Sequence, residues 1–172
     1  MIRVVVTGSE CTGKTTLAEE LAEYYKTVWM PEFVRQFVKE KGAAPEYEDV
    51  EAIARGQIAL ENQTASTAKH LLIQDTDLLS TVVYSRHYYG DCPEWIAGEL
   101  RKREADVYLL AGIDVPWAAD GDQRDRGDRR EEMQELFRSV LSELGFRFVE
   151  INGSRPRRME TAISLIDGLF VG

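Results

Sequence analysis

The most restrictive feature of this chain is a glycine-rich segment placed between a β-branched run and an amphipathic run. It reads Gly8-Ser9-Glu10-Cys11-Thr12-Gly13-Lys14-Thr15 and fits the phosphate-loop pattern G-x-x-x-x-G-K-[ST] at every position. Residues 2–6 are mostly β-branched and apolar, as in a strand buried in a parallel sheet, and residues 16–25 carry apolar side chains at helical spacing. A phosphate loop needs this order of strand, loop and helix.

Each position of the loop has a physical role in holding phosphate. Gly8 and Gly13 allow backbone conformations that a side chain would block, so successive amide N–H groups can surround phosphate oxygens. Lys14 supplies positive charge toward the β and γ phosphates, and the Thr15 hydroxyl is the usual Mg²⁺ ligand. We expect nucleoside triphosphate binding by Gly8, Ser9, Glu10, Cys11, Thr12, Gly13, Lys14, Thr15 and Thr16. The alternative is a glycine-rich turn with an exposed lysine.

Composition limits the classes of protein to consider. At 172 residues the chain has the length of one domain, so we expect a single domain over residues 1–172. A net charge of −9 argues against a nucleic-acid or anionic-membrane partner, whereas a small anionic ligand needs only a few local donors. The two cysteines, Cys11 and Cys92, are far apart, which is typical of a reducing compartment. We expect a cytoplasmic protein without a leader or membrane span, and a homo-oligomer stays open.

Apolar runs alternate with helical patterns along the chain. Further strands are expected at 27–30, 71–74, 107–111 and 146–150, helices at 32–41, 47–69, 78–84 and 157–170, and a polar loop at 121–132. Gly56 inside the long helix costs about 1 kcal/mol relative to alanine, which indicates close packing or a bend. Strands separated by helices imply parallel crossovers, so we predict an α/β, three-layer P-loop NTPase fold with a mainly parallel five-stranded sheet.

Charged side chains follow the second predicted strand, where ligands of such sheets bind. Glu32 comes directly after this strand, and Arg35 lies one helical step away on the same face. A carboxylate across the cleft from the phosphate loop could accept a proton from an attacking hydroxyl. The alternative is a first-turn glutamate that stabilises the helix dipole, with Arg35 as its surface partner.

Two aspartates follow the third predicted strand. Asp75 ends this strand next to the phosphate loop, where the magnesium-binding carboxylates of nucleotide enzymes lie, so we predict that it holds the metal. Asp77 is either a substrate contact or the N-cap of the helix that starts at Leu78.

The segment after the fourth predicted strand is rich in arginine. Arg124, Arg126, Arg129 and Arg130 alternate with acidic residues, and such a loop can close over ATP and stabilise charge on the transferring phosphoryl group. A solvated charge run is the alternative. Trp117 could stack on a planar ring or serve packing.

Weaker candidates are found in the helical segments. Gln57 could hydrogen-bond a substrate or face solvent, and Tyr84, Tyr88 and Tyr89 could line an aromatic pocket or pack in the core.

Several of these pieces occur together, in the same order, in a known family. They are residues 8–17, Glu32-x-x-Arg35, Ile53-Ala54-x-Gly56-Gln57, Asp75-Thr76-Asp77-Leu78, and Asp114-x-Pro116-Trp117-x-Ala119-Asp120-Gly121 followed by Arg124. In this set the chain resembles the ribosylnicotinamide kinase domain of the NadR-like family, within the AAA-like group of P-loop kinases.

The resemblance implies transfer of the γ-phosphoryl group of ATP, with Mg²⁺, to the 5′-hydroxyl of nicotinamide riboside in NAD salvage. The implied catalytic residues are Lys14, Glu32, Asp75 and Arg124, the implied substrate contacts are Glu32, Arg35, Asp77, Trp117 and Asp120, and the implied metal ligands are Thr15 and Asp75. The chain departs from the family at Pro31, where the family has a ring-stacking tryptophan, and near Leu60, where a second ring contact is non-aromatic. A kinase for another nucleoside and a regulatory ATPase are the alternatives.

Overall fold

The computed structural model describes residues 1–116 and 129–172. Trp117, Asp120, Arg124 and Arg126 therefore lie outside the described residues. The elements are β1 (Ile2–Thr7), α1 (Lys14–Tyr25), β2 (Val28–Met30), α2 (Phe33–Lys41), a 3₁₀ turn (Tyr47–Asp49), α3 (Val50–Thr67), β3 (Leu71–Asp75), α4 (Leu78–Tyr89), α5 (Glu94–Lys102), β4 (Val107–Ala111), α6 (Arg130–Leu144), β5 (Phe148–Ile151) and α7 (Arg155–Val171).

The five strands form one sheet in the order β2-β3-β1-β4-β5, and each described pairing is parallel. Side chains alternate between the faces of β1, because Val4 and Val6 pack on one side and Val5 on the other. Helices α1 and α7 cover the first face, and α3, α4, α5 and α6 cover the second. The predicted three-layer α/β fold with a five-stranded parallel sheet is confirmed.

Two helices, α5 and α6, were not predicted from the sequence. Helix α5 has two buried side chains, Ile96 and Leu100, one turn apart, so its apolar pattern is short. Helix α6 begins at Arg130, and the prediction of a loop through residue 132 is therefore wrong for its last three residues. Met133 and Phe137 of α6 are buried in the core on this face of the sheet, and this burial stabilises the helix although its first turn is highly charged.

The other differences lie at element ends. Helix α4 continues beyond Tyr84 to Tyr89 and ends where Gly90 adopts a left-handed φ of 71°. The start of the long predicted helix is a 3₁₀ turn. Of the helices in residues 1–116 and 129–172, not one has the length and apolarity required to cross a membrane.

The register of the sheet brings the carboxyl ends of three strands together. Val6 of β1 pairs with Asp75 of β3, and Thr7 pairs with Leu110 of β4. The glycine-rich loop after β1 therefore lies between the residues that follow β3 and those that follow β4. Ligands bind at this edge in open parallel sheets.

Candidate functional site

The glycine-rich loop, residues 8–13, adopts backbone conformations that its composition allows. Gly8 has a φ of 132°, and a Cβ there would lie 3.1 Å from the Ala111 carbonyl oxygen. Gly13 has a φ of 81° and immediately precedes α1. Cys11 also has a positive φ, 56°. The loop leads directly into the first turn of α1, and helix N-termini favour anions because of their exposed amides and the positive end of the helix dipole.

Side chains within the loop bond back to its own backbone. The Lys14 ammonium donates to the Ser9 carbonyl at 2.7 Å, and the Thr12 hydroxyl donates to the same oxygen at 2.9 Å. Lys14 is 8 % exposed, so its charge lies inside the loop rather than in solvent. The Ser9 hydroxyl is buried and has no hydrogen-bond partner in the described part of the chain.

Thr15 and Asp75 meet beneath the loop. The Thr15 hydroxyl donates to Asp75 Oδ2 at 2.5 Å, while the buried Asp75 Oδ1 has no partner among the described residues. Burial raises the pKa of Asp75, and the negative charge of Glu32 adds to this rise, against the opposing charge of Lys14. A hydroxyl and a carboxylate with a free oxygen are suitable Mg²⁺ ligands, so these residues fit the implied metal.

A buried arginine from α7 fixes the loop from below. The Arg158 guanidinium donates to the carbonyl oxygens of Thr12 at 2.6 Å, Gly112 at 3.0 Å and Gly153 at 3.1 Å, and to Asp114 Oδ1 at 2.6 Å. Arg158 is 4 % exposed. These bonds join the loop, the residues after β4 and the residues after β5.

Arg158 was not among the residues predicted from the sequence. It lies 146 positions from Thr12, and no local motif marks it. Burial would raise the pKa of Asp114, but the Gly153 amide and Arg158 hold that pKa below its usual value.

A second arginine, from α6, also bonds to the loop. Arg130, the first residue of α6, donates to the Val115 carbonyl at 2.6 Å and to the Cys11 carbonyl at 3.2 Å. Its Nε is buried and has no partner among residues 1–116 and 129–172. Of the arginines predicted to act here, Arg130 is thus brought to the loop, Arg129 pairs with Glu132, and Arg124 and Arg126 lie outside the described residues.

Glu32 and Arg35 lie at the start of α2. Glu32 occupies the N-cap position, and its Oε2 accepts a hydrogen bond from Arg35 Nε at 3.1 Å. The Glu32 side chain is 14 % exposed and that of Arg35 is 56 % exposed. The predicted pair is therefore formed, and both of its side chains line a cavity that Lys14 of the loop also lines.

Asp77 has the N-cap geometry that was one of its two predicted roles. Its Oδ1 accepts from the Leu79 amide at 2.9 Å, and its Oδ2 accepts from the Tyr108 hydroxyl at 3.0 Å. Burial raises its pKa to about 7, although both of these bonds lower it. Because both oxygens are already bonded inside the protein, a substrate role for Asp77 stays a prediction.

One cavity of about 630 Å³ joins the loop to the α2, α3 and α4 helices. Lys14 and Glu10 line its loop end, and Glu32 and Arg35 line the α2 side. Helices α3 and α4 contribute Val50, Ile53, Gln57, Ser80, Thr81, Tyr84, Ser85, Tyr88 and Tyr89. The volume is in the range of small-molecule sites.

Comparison with known proteins agrees with the geometry. The chain is 28 % identical over 154 residues to the trifunctional NAD biosynthesis/regulator protein NadR of Escherichia coli (strain K12), and the match covers 86 % of this chain and 37 % of that protein. A crystal structure of NadR protein in complex with NR superposes with a TM-score of 0.74 at 22 % identity, over 96 % of this chain and 50 % of the other. Thymidylate kinase from Candida albicans superposes with a TM-score of 0.70 at 14 % identity, over 96 % and 90 % of the two chains.

The similarity to NadR is confirmed, although the chain spans little more than a third of the length of the curated relatives it matches. The solved structures support the P-loop kinase fold. A family model described as an AAA domain matches residues 3–158, and the chain belongs to this family.

Proposed function

We propose that the chain is an ATP-dependent kinase that transfers the γ-phosphoryl group to a hydroxyl of a nucleoside-type small molecule. One observation carries the proposal: a single cavity is lined both by Lys14 of the phosphate loop and by the Glu32–Arg35 pair. We call the part lined by the loop the donor side and the part lined by the Glu32–Arg35 pair and the neighbouring helices the acceptor side. A phosphoryl donor and a hydroxyl acceptor must share such a space for in-line transfer.

The positions of these side chains support the following proposed roles. Lys14 and the loop amides hold the ATP phosphates, and Glu32 orients the acceptor hydroxyl and takes its proton. The hydroxyl oxygen forms a bond to the γ-phosphorus while the bond from that phosphorus to the β–γ bridging oxygen breaks, and ADP leaves. Catalysis of this kind depends mainly on positioning and on charge stabilisation.

Thr15 and Asp75 are the residues that would hold Mg²⁺, because they provide a hydroxyl and a carboxylate with a free buried oxygen. When bound, this ion supplies neutralisation of phosphate charge. Arg130, the first residue of α6, adds a positive charge at the loop, where its guanidinium donates to the Cys11 carbonyl. Arg124 as a catalytic residue and Trp117 and Asp120 as substrate contacts remain predictions.

Nicotinamide riboside is the acceptor that we propose first, giving nicotinamide mononucleotide. The similarity to NadR and the structure of NadR protein with NR support this choice. Pro31 and Leu60 stand where the family's ring contacts are expected, so a kinase for another nucleoside is the second candidate.

The test is a panel of nucleosides and sugars, including nicotinamide riboside, incubated with Mg-ATP and analysed by mass spectrometry for phosphorylated product. We expect ADP release that depends on one nucleoside and disappears in Lys14→Ala. The matched control is Lys69→Ala, which removes an exposed lysine before β3, at the amino ends of the strands rather than at the carboxyl ends where the loop lies. Slow ATP hydrolysis that no nucleoside accelerates would replace the kinase proposal with the regulatory ATPase.

A further inference from the structure

The acceptor side of the cavity contains a buried amide that the proposed reaction steps do not use. Gln57 of α3 is 3 % exposed. Its Oε1 accepts from the Phe33 amide at 3.4 Å, and its Nε2 donates to the Met30 sulfur at 3.9 Å. Good amide hydrogen bonds measure about 2.7–3.2 Å between heavy atoms. The Gln57 amide can make about four hydrogen bonds, but within the described residues it makes these two long, weak ones.

A second buried polar group lines the same cavity. Ser80, in the first turn of α4, is 7 % exposed, and its hydroxyl has no hydrogen-bond partner among residues 1–116 and 129–172. Buried polar groups in proteins are nearly always hydrogen-bonded. Two under-bonded groups on facing helices of one cavity therefore indicate a ligand that completes their bonding.

The surroundings of Gln57 limit what this ligand can be. Apolar and aromatic side chains line the cavity around it, among them Ile53 one turn earlier on α3 and Tyr84 on α4, which suits a planar ring. Gln57 also contacts the Phe33 amide, and Glu32 is the residue before Phe33. A nucleoside whose hydroxyl lies at Glu32 is therefore long enough for its ring to reach Gln57.

We propose that Gln57 is a specificity-determining residue that binds an amide group on the ring of the acceptor, an inference that rests on the proposed kinase function. An amide offers one carbonyl acceptor and N–H donors, which match the donor and acceptor of Gln57 as a pair. A carboxylate in the same place offers acceptors alone and would put a negative oxygen against Gln57 Oε1. The site therefore selects nucleosides with an amide-bearing ring over their carboxylate counterparts.

The experiment compares nicotinamide riboside with nicotinic acid riboside, which differ in this group. Calorimetric titration in the presence of AMP-PNP measures binding without transfer, and kcat/KM with ATP measures turnover. We expect wild type to prefer the amide by about 10-fold or more, because a site built to hydrogen-bond a group discriminates against its analogue. In Gln57→Leu the preference falls to about 3-fold or less, through a higher KM for the amide with kcat retained.

Two further variants separate recognition from structure. Gln57→Glu keeps the size of the side chain and an acceptor for the amide N–H, but it repels a carboxylate. The preference for the amide should therefore rise in Gln57→Glu, whereas it should fall in Gln57→Leu. A purely structural residue would move both variants in the same direction. Gln63→Leu makes the same change at an exposed position of α3 and leaves the preference unchanged.

The outcomes distinguish this inference from the proposed function. Equal binding of the amide and the acid by wild type, or an unchanged preference in Gln57→Leu, overturns the role of Gln57 while transfer to nucleosides still stands. Failure of wild type to bind or phosphorylate any nucleoside overturns the kinase function and the role of Gln57 with it.

Discussion

The two sides of the cavity are built differently. On the donor side, the Arg158 guanidinium is buried and bonds to the loop and to the residues after β4 and β5. On the acceptor side, Glu32 precedes α2 and Arg35 belongs to it, and the 9 residues of this helix all stay at least partly exposed. Gln57 there makes bonds of 3.4 and 3.9 Å.

The difference follows from what each side has to recognise. A triphosphate presents the same oxygens in every reaction, so main-chain amides held at fixed positions are sufficient. An acceptor is recognised by side chains on helix surfaces, and these change with the acceptor. The comparison predicts that donor-side substitutions alter ATP use and stability, whereas acceptor-side substitutions alter the acceptor step.

The largest effect is expected for Glu32→Gln on the acceptor side. The substitution removes the proton acceptor while keeping the shape of the side chain, so kcat should fall by about 10²-fold or more. The KM for ATP and the thermal midpoint should stay the same. Steady-state kinetics with Glu40→Gln, an exposed change on the same helix, gives the control. An unchanged kcat would remove Glu32 from the mechanism.

Arg158→Lys tests the donor side. A lysine cannot reach all of the acceptors that the guanidinium bonds, and acceptors left unpaired in the interior cost about 1–3 kcal/mol each. We expect a lower melting temperature and a KM for ATP raised by about 10-fold, in the range of a 1.4 kcal/mol loss of binding energy. Arg157→Lys, at the exposed neighbouring position, should change neither quantity. Should Arg158→Lys alter only the acceptor KM, the division between the two sides would fail.

Gly56→Ala tests the acceptor side with a substitution that changes no charge. A Cβ at Gly56 would lie 2.1 Å from Phe33 Cζ, so the ring and the start of α2 must move. Overpacking of this kind costs about 1–3 kcal/mol, of which the better helix propensity of alanine returns about 1 kcal/mol. We expect a several-fold lower kcat at an unchanged KM for ATP.

The control for this substitution is Gly98→Ala on α5. A Cβ there would meet no other described atom within 4 Å, so the same chemical change should stabilise the fold by up to about 1 kcal/mol. Chemical denaturation of both variants measures the two free energies of unfolding. A Gly56→Ala protein as stable and as active as wild type would show that Phe33 does not position α2.

The smallest effect concerns pH and the Asp114–Arg158 pair. The folded pKa of Asp114 is lower than its unfolded value because the Gly153 amide and Arg158 both donate to its carboxylate, so these bonds stabilise the fold above the unfolded pKa of Asp. This contribution is lost as the pH falls through the lower, folded pKa. In Asp114→Asn, the free energy of unfolding should therefore fall less steeply as the pH is lowered into the acid range. Near neutral pH, the slope of this free energy against pH should be the same as in wild type. A profile with an unchanged acid limb would show that the bonds from Gly153 and Arg158 do not stabilise the charged form of Asp114.

Local patterns were sufficient to predict the donor loop and most of the fold. The loop string, the β-branched run before it and the strand end at Asp75 each depend on residues close together in sequence. Helix α5 was not predicted because only two of its side chains, Ile96 and Leu100, are buried, which makes a short apolar pattern. Its stability comes from packing against the core rather than from a periodic sequence.

Contacts between distant segments could not be read from the sequence. Arg158 and Thr12 are 146 positions apart, and nothing near either residue indicates their bond. Gln57 was a candidate on its residue type, but its burial and its weak bonds depend on how α2, α3 and β2 pack together. Gly56 was predicted to mark close packing or a bend, and the structure shows the packing partner, Phe33.

The bond between Arg158 and the phosphate loop has a consequence for synthesis of the protein on the ribosome. A nascent chain that has emerged only as far as β5 contains the whole loop string but lacks the α7 arginine that holds Thr12 and Gly112 together. We expect such a chain to bind ATP weakly. Nucleotide affinity therefore develops late in translation, and ribosome-stalled fragments without α7 should not retain ATP.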